Sequence, residues 1–221
     1  MEITKQQLHE IENYLAKIKF DFVDLNAEIL DHITSDVESL LDKNHSFENA
    51  FALVKLRWEK HFRDTSSFFF GLQYSESKIV VKKAVKMFKP FYFLYLAASF
   101  LPLILLKKFL FDFSKNMRDF LNGFLFYAAS IALLYMIFII VKTIQTKVKT
   151  TYRFILKTQY LGVVFLILPL LMGNYFTDKG NPNAILIGFL FGGFAVTYIC
   201  HHFYKRHLEA IKKYKISKLW N

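Results

Sequence analysis

Acidic residues almost vanish from this 221-residue chain after position 64. Residues 65–221 hold 5 Asp and Glu against 21 Lys and Arg, a balance of +16, whereas residues 1–64 hold 13 acids and 8 bases, a balance of −5. Cys200 is the one cysteine, so an intrachain disulfide is excluded. With 8 Gly and 4 Pro the chain is no collagenous or low-complexity segment, and 54% hydrophobic residues exclude a disordered tail. No H-E-x-x-H, G-x-S-x-G, P-loop or dinucleotide fingerprint occurs. No residue is therefore nominated as nucleophile, base or metal ligand; no enzyme activity, cofactor or metal is expected.

What the chain does contain is long runs without any Asp, Glu, Lys or Arg. They cover residues 90–106, 120–141, 158–177 and 180–204. A helix needs roughly 20 apolar residues, at about 1.5 Å each, to cross about 30 Å of hydrocarbon. The runs predict four transmembrane helices at about 90–106, 120–141, 158–177 and 183–204. The first is the shortest, with a re-entrant or interfacial segment as its competing topology. A soluble helical core would show polar residues at 3.6 spacing, and Phe124–Val141 and Tyr160–Met172 show almost none. The fold class expected is all-α: a small cytoplasmic three-helix domain followed by a four-helix transmembrane bundle.

Cationic residues set the expected orientation. With the amino terminus inside, the inner flanks collect 16 Lys and Arg and the outer ones 5, namely Lys107, Lys108, Lys115, Arg118 and Lys179. The inner (plasma) membrane of a cell, with both termini cytoplasmic, is the expected location. The opening MEITKQQLHEIENY is charged and helical in pattern, so no cleavable signal is expected. Residues 65–89 read as a linker and basic juxtamembrane helix, and 205–221 as a basic cytoplasmic tail. Lys205, Arg206, Lys212, Lys213, Lys215 and Lys218 of that tail are candidates for contact with the membrane surface, so the lipid bilayer is the expected partner. Because the bases track span ends and the head is acidic, no nucleic acid is expected. The same cations could instead hold the acidic head against its own chain.

Residues 1–64 read as three helices. Thr4 and Gln7 form a capping box ahead of Leu8, Ile11, Leu15 and Ile18. A second helix runs from about Asp24 to Lys43 with Leu25, Ile29, Ile33, Val37 and Leu40 on one face. A third is capped by Ser46 and carries Phe47, Phe51, Val54, Trp58 and Phe62. The stretch from Tyr14 to Phe62, with Glu28-Ile29-Leu30-Asp31-His32-Ile33 and Ser46-Phe47-Glu48-Asn49-Ala50-Phe51, resembles the HAAS-type and permease-prefix helical domains of bacterial membrane proteins. It is similar to those of multi-span proteins of the Bacteroidetes kind. The resemblance implies a cytoplasmic regulatory or interaction module and no reaction.

Three side-chain groups stand out. Glu28 and His32, four apart on a helix beside Asp31, could bridge a metal, against the simpler reading of a solvated acidic face. His201, His202 and His207 gather near the inner end of the last span, as a pH-responsive or metal-binding group or as ordinary interfacial histidines. Ala184, Gly188 and Gly192 recur every four residues, with Gly193 adjacent, and form a candidate helix-packing face within the bundle or between two copies. No Asp, Glu, Lys or Arg lies between the span ends, which disfavours ion-coupled transport. The function expected is that of an integral membrane protein of regulatory or interaction type, whose residues 1–64 bind a cytoplasmic partner or dock on the membrane face. The alternative is a transporter or permease subunit.

Overall fold

The computed structural model describes residues 2–108 and 113–217. It is an all-α chain, with eight α-helices and one small antiparallel sheet among the described residues. Three of these helices, α4 (Lys78–Lys108), α5 (Lys115–Gln145) and α8 (Ala184–Ser217), are long and apolar enough to cross a membrane. A fourth crossing is available if the bent pair α6 (Thr151–Thr158) and Tyr160–Met172 counts as one. That is the make-up of a multi-pass membrane protein. Two compact units divide the chain.

The first unit contains residues 1–86, 148–154 and 207–221. Its helices α1 (Lys5–Lys17), α2 (Asn26–Leu41) and α3 (Phe47–Phe62) follow the apolar stripes. Thr4 Oγ1 accepts from Gln7 N–H at 3.3 Å while Gln7 Oε1 accepts from Thr4 N–H at 2.8 Å, which closes the capping box. Ser46 Oγ accepts from Asn49 N–H and starts α3. The stripes meet in a core of Ile11, Leu15, Ile29, Ile33, Val37, Ala50 and Val54, all buried. Tyr14 and Phe51 meet edge to face, and the Trp58 indole donates to Asp36 Oδ2 at 2.8 Å. Val80, Val81 and Ala84, on the first turns of α4, are buried too.

Residues 65–77, read from the sequence as part of the linker, form with Asp64 a hairpin of β1 (Asp64–Ser67) and β2 (Gly71–Ser77). Asp64 pairs with Ser77 and Ser66 with Ser75, and the register shifts after Ser66. Phe70 N–H returns to the Ser67 carbonyl at 3.0 Å, and Gly71 follows at φ +89°. A tight turn closed by a residue of positive φ is the usual three-residue hairpin, and glycine occupies that position without a Cβ clash.

The second unit contains residues 87–147 and 155–206. Helix α8 is its most enclosed member: 56% of its most apolar window is buried, against 6% for α4 and 17% for α5. The outward side chains of α4 and α5, among them Phe93, Phe100, Ile104, Phe124, Ile131 and Leu134, are large, apolar and exposed, as lipid-facing surfaces are. The third expected span, 158–177, is not one helix. It bends by 41° at the break before Tyr160, passes through a 3-10 turn at Tyr160–Val163, and continues as α7 (Val164–Met172). Gly173 at φ +66° then ends α7, and Phe176 pairs with Pro182 in an isolated bridge. The last expected span, 183–204, does not stop at the apolar boundary, because α8 continues unbroken through most of the basic tail to Ser217.

Candidate functional site

The first unit holds a polar junction between the turn after α1 and the residues that open α6. Helix α1 ends at a left-handed Lys19, φ +57°, and Phe20 N–H returns to the Leu15 carbonyl at 3.1 Å. The chain then runs extended beside residues 148–151. Phe22 and Lys149 form a parallel bridge, and Val23 N–H donates to the Lys149 carbonyl at 3.1 Å. The Lys149 ammonium reaches Asp21 Oδ1 at 3.0 Å.

Asp24 completes the contact. Its Oδ1 accepts from Thr151 N–H at 2.9 Å, while Thr150 Oγ1 accepts from Arg153 N–H at 2.9 Å. Two of the N–H groups that begin every helix without an intrahelical partner are thus met by side chains, one of them a carboxylate at the positive end of the helix dipole. Helix α2 starts instead from Leu25, with no side-chain cap. Asp24 caps a helix that lies 127 residues further along the chain.

His207, three residues beyond the apolar run of α8, lies under this cap. It is fully buried, as are Thr150 and Thr151, and its Nδ1 is 2.8 Å from Thr150 Oγ1. Burial, and then the nearby Arg153 guanidinium, push its pKa down to about 4, so the ring is neutral. Thr150 already accepts from Arg153, and a hydroxyl that donates onward to Nδ1 leaves the ring proton on Nε2, an assignment by hydrogen-bond logic. At the rim, Lys83 donates to Glu28 Oε2 at 2.8 Å and to the Asp24 carbonyl at 3.4 Å. The Lys83 hydrogen bond holds the Glu28 carboxyl below its ordinary range. This set carries backbone pairing, two caps and two ion pairs. Together they join the turn after α1 to the residues that open α6.

The sequence candidates fall in different places. Glu28 takes Lys83 as its partner, while Asp31 and His32 are exposed. The three histidines diverge: His201 Nδ1 meets Tyr135 Oη at 2.6 Å, the His202 ring packs on Phe91 at 4.7 Å, and His207 meets Thr150. Among the described residues no three His, Cys, Asp or Glu converge as a metal site. Gly188 and Gly192 are buried against α4 of the same chain. A Cβ at Gly188 would lie 2.7 Å from the Ser99 carbonyl oxygen and one at Gly192 2.5 Å from Ser99 Oγ. Gly193 meets Leu166 of α7, and Ala184 is half-buried. Lys205, Arg206, Lys212, Lys213 and Lys215 are exposed on α8, and Lys218 lies outside the described residues. The sequence reading passed over Asp24, Lys83, Lys149, Thr150 and Thr151 as functional residues. The one local signal was Thr150, a good N-cap residue directly before the amphipathic α6. No family model matches this chain, and neither does any curated protein or solved structure.

Proposed function

We propose that this chain is an inner-membrane protein of regulatory type, whose amino-terminal helical head is latched to the inner flanks of its own spans and acts on a cytoplasmic partner when the latch opens. The observation that carries this reading is the pairing of Phe22–Asp24 with Lys149–Thr151. It ties the head directly to the segment connecting α5 to α6, so a change in how those helices sit has a short mechanical route to the head. Polar interfaces within a chain resemble transient ones, which suits a contact that opens and closes. The resemblance of Tyr14–Phe62 to bacterial prefix domains points the same way, as does the placement of 16 cations on the flanks assigned to the cytoplasm.

The test uses the intact protein in lipid nanodiscs with Cys200→Ala, Asp21→Cys and Lys149→Cys, joined or not by a short thiol crosslinker. A regulatory latch predicts that affinity capture of a cytoplasmic protein differs between the joined and open forms. Identical capture from both overturns the switch. The rival reading is a transporter subunit, and the bend at the start of α7 is the observation on its side, because transporters use broken helices. The bend lies at the edge of the apolar run, away from its middle, and the regulatory reading is therefore preferred. Solute flux through the reconstituted protein would reverse that preference.

A further inference from the structure

Phe68 and Leu72 are 83% and 81% exposed, the two most exposed large apolar side chains among the described residues. They flank the turn of the β1–β2 hairpin and are not on a span. The turn holds them out: Phe70 N–H bonds the Ser67 carbonyl, Phe69 N–H bonds Ser67 Oγ at 3.4 Å, and Gly71 fixes the return. No residue from Thr65 to Ser75 is charged, so the tip carries no ion whose desolvation would oppose entry into an apolar medium.

The hairpin is also anchored. Phe70, between the two exposed residues, is buried and meets the Phe154 ring edge to face at 5.3 Å. Phe154 is on α6, four residues before the uncharged run that begins at Thr158, which is about 6 Å of helix. The hairpin is therefore tied to α6, the helix that leads into the bent fourth crossing, and aromatic side chains favour the headgroup level at the ends of such runs.

We infer that Phe68 and Leu72 form a lipid-inserting wedge, which seats the amino-terminal head in the boundary between headgroups and acyl chains of the bilayer this chain crosses. The inference rests on the chain crossing a membrane and is independent of the regulatory reading.

The test uses the full chain with Cys200→Ala, in nanodiscs of mixed zwitterionic and anionic phospholipid. Phe68→Cys and Leu72→Cys each carry an environment-sensitive fluorophore, and Lys43→Cys, in the exposed turn after α2, is the control. Blue-shifted emission is expected at both tip positions, with several-fold stronger quenching by phospholipids spin-labelled near the top of the acyl chain than at Lys43→Cys, and weaker quenching by aqueous iodide. Absence of quenching by spin-labelled lipid overturns the wedge, both where iodide quenching equals that of the control, as for a tip in water, and where it is weaker, as for a tip covered by protein. Hydrogen exchange of unlabelled protein gives a second reading. The amides of residues 67–72 are expected to be protected in lipid and to lose that protection in Phe68→Ser/Leu72→Ser. Equal exchange in the two proteins overturns the inference.

Discussion

Asp24 caps a helix that is not its own: its Oδ1 accepts the Thr151 N–H at 2.9 Å and leaves α2 to begin at Leu25 without a side-chain cap. An N-cap carboxylate contributes about 1 kcal/mol, and up to about 2 kcal/mol in the best cases. Asp24→Ala is therefore expected to speed exchange of the Thr151 amide by about tenfold for each 1.4 kcal/mol lost. The amides of the three head helices should change little. Hydrogen exchange of the full chain in nanodiscs reads both at once. A uniform change across the head would show that Asp24 supports the fold of the head and not the latch.

Local signals were legible in the sequence and distant ones were not. The Thr4–Gln7 box and the Ser46 cap each involve residues three apart, so the sequence holds both partners in one window. The apolar runs within α5 and α8 were legible because run length is itself the physical requirement for crossing lipid. Run length carries no information on bends, so residues 158–177 read as one rod although the chain breaks before Tyr160 and stops at Gly173. Asp24 read as the start of α2 because a capping residue announces an open helix end without naming which one. The hairpin was passed over because its strands are short and polar, and its turn is a run of three phenylalanines that resembles apolar helix.

The two rim ion pairs should contribute less than the cap. Glu28 is 55% exposed and Lys149 47%, and pairs of such exposure are worth about 0–1 kcal/mol and weaken with salt. A double-mutant cycle on Glu28→Gln and Lys83→Met should return a coupling in that range. The Glu28 carboxyl is held low, so its contribution is present above the ordinary glutamate pKa and is lost as pH falls through the lowered folded value. Because the cap and the backbone pairing are not surface ion pairs, high salt alone should leave trypsin cleavage of residues 60–86 slow. Rapid cleavage on adding salt would mean that the rim charges hold the head.

His207 supplies a pH dependence of definite sign. Its pKa is pushed down to about 4 when folded, by burial first and Arg153 second, and is about 6.5 when unfolded. Between those values the unfolded chain binds the extra proton, so stability is fully present above pH 6.5 and falls as pH drops toward 4. The whole difference is about 3 kcal/mol. Thermal unfolding in detergent from pH 7.5 to 4.5 should show the decline, and His207→Gln should flatten it. A wild-type midpoint that rises on acidification would sink the buried neutral imidazole.

The small residues of α8 predict a graded series. At Gly188 the nearest obstacle to a Cβ is the Ser99 backbone carbonyl, 2.7 Å away, which cannot swing aside as a side-chain end can. Gly188→Ala should therefore cost about 1–3 kcal/mol, the range for overpacking a tight contact. At Gly193 a Cβ would meet Leu166 Cδ2 at 2.5 Å, its Cγ at 2.8 Å and the Phe165 carbonyl oxygen at 3.1 Å, and Leu166 is fully buried, so Gly193→Ala should cost a comparable amount. Gly123 on α5 has nothing within 4 Å, so Gly123→Ala should be neutral or stabilising by up to about 1 kcal/mol, since alanine is the better helix former. Melting temperatures of the three variants in one detergent would establish the order. The face at Gly188 and Gly192 is filled by α4, so Gly188→Leu should lower thermal stability while crosslinking of the surviving folded protein keeps the wild-type ratio of monomer to dimer. A selective loss of dimer at unchanged stability would instead place a second copy against this face.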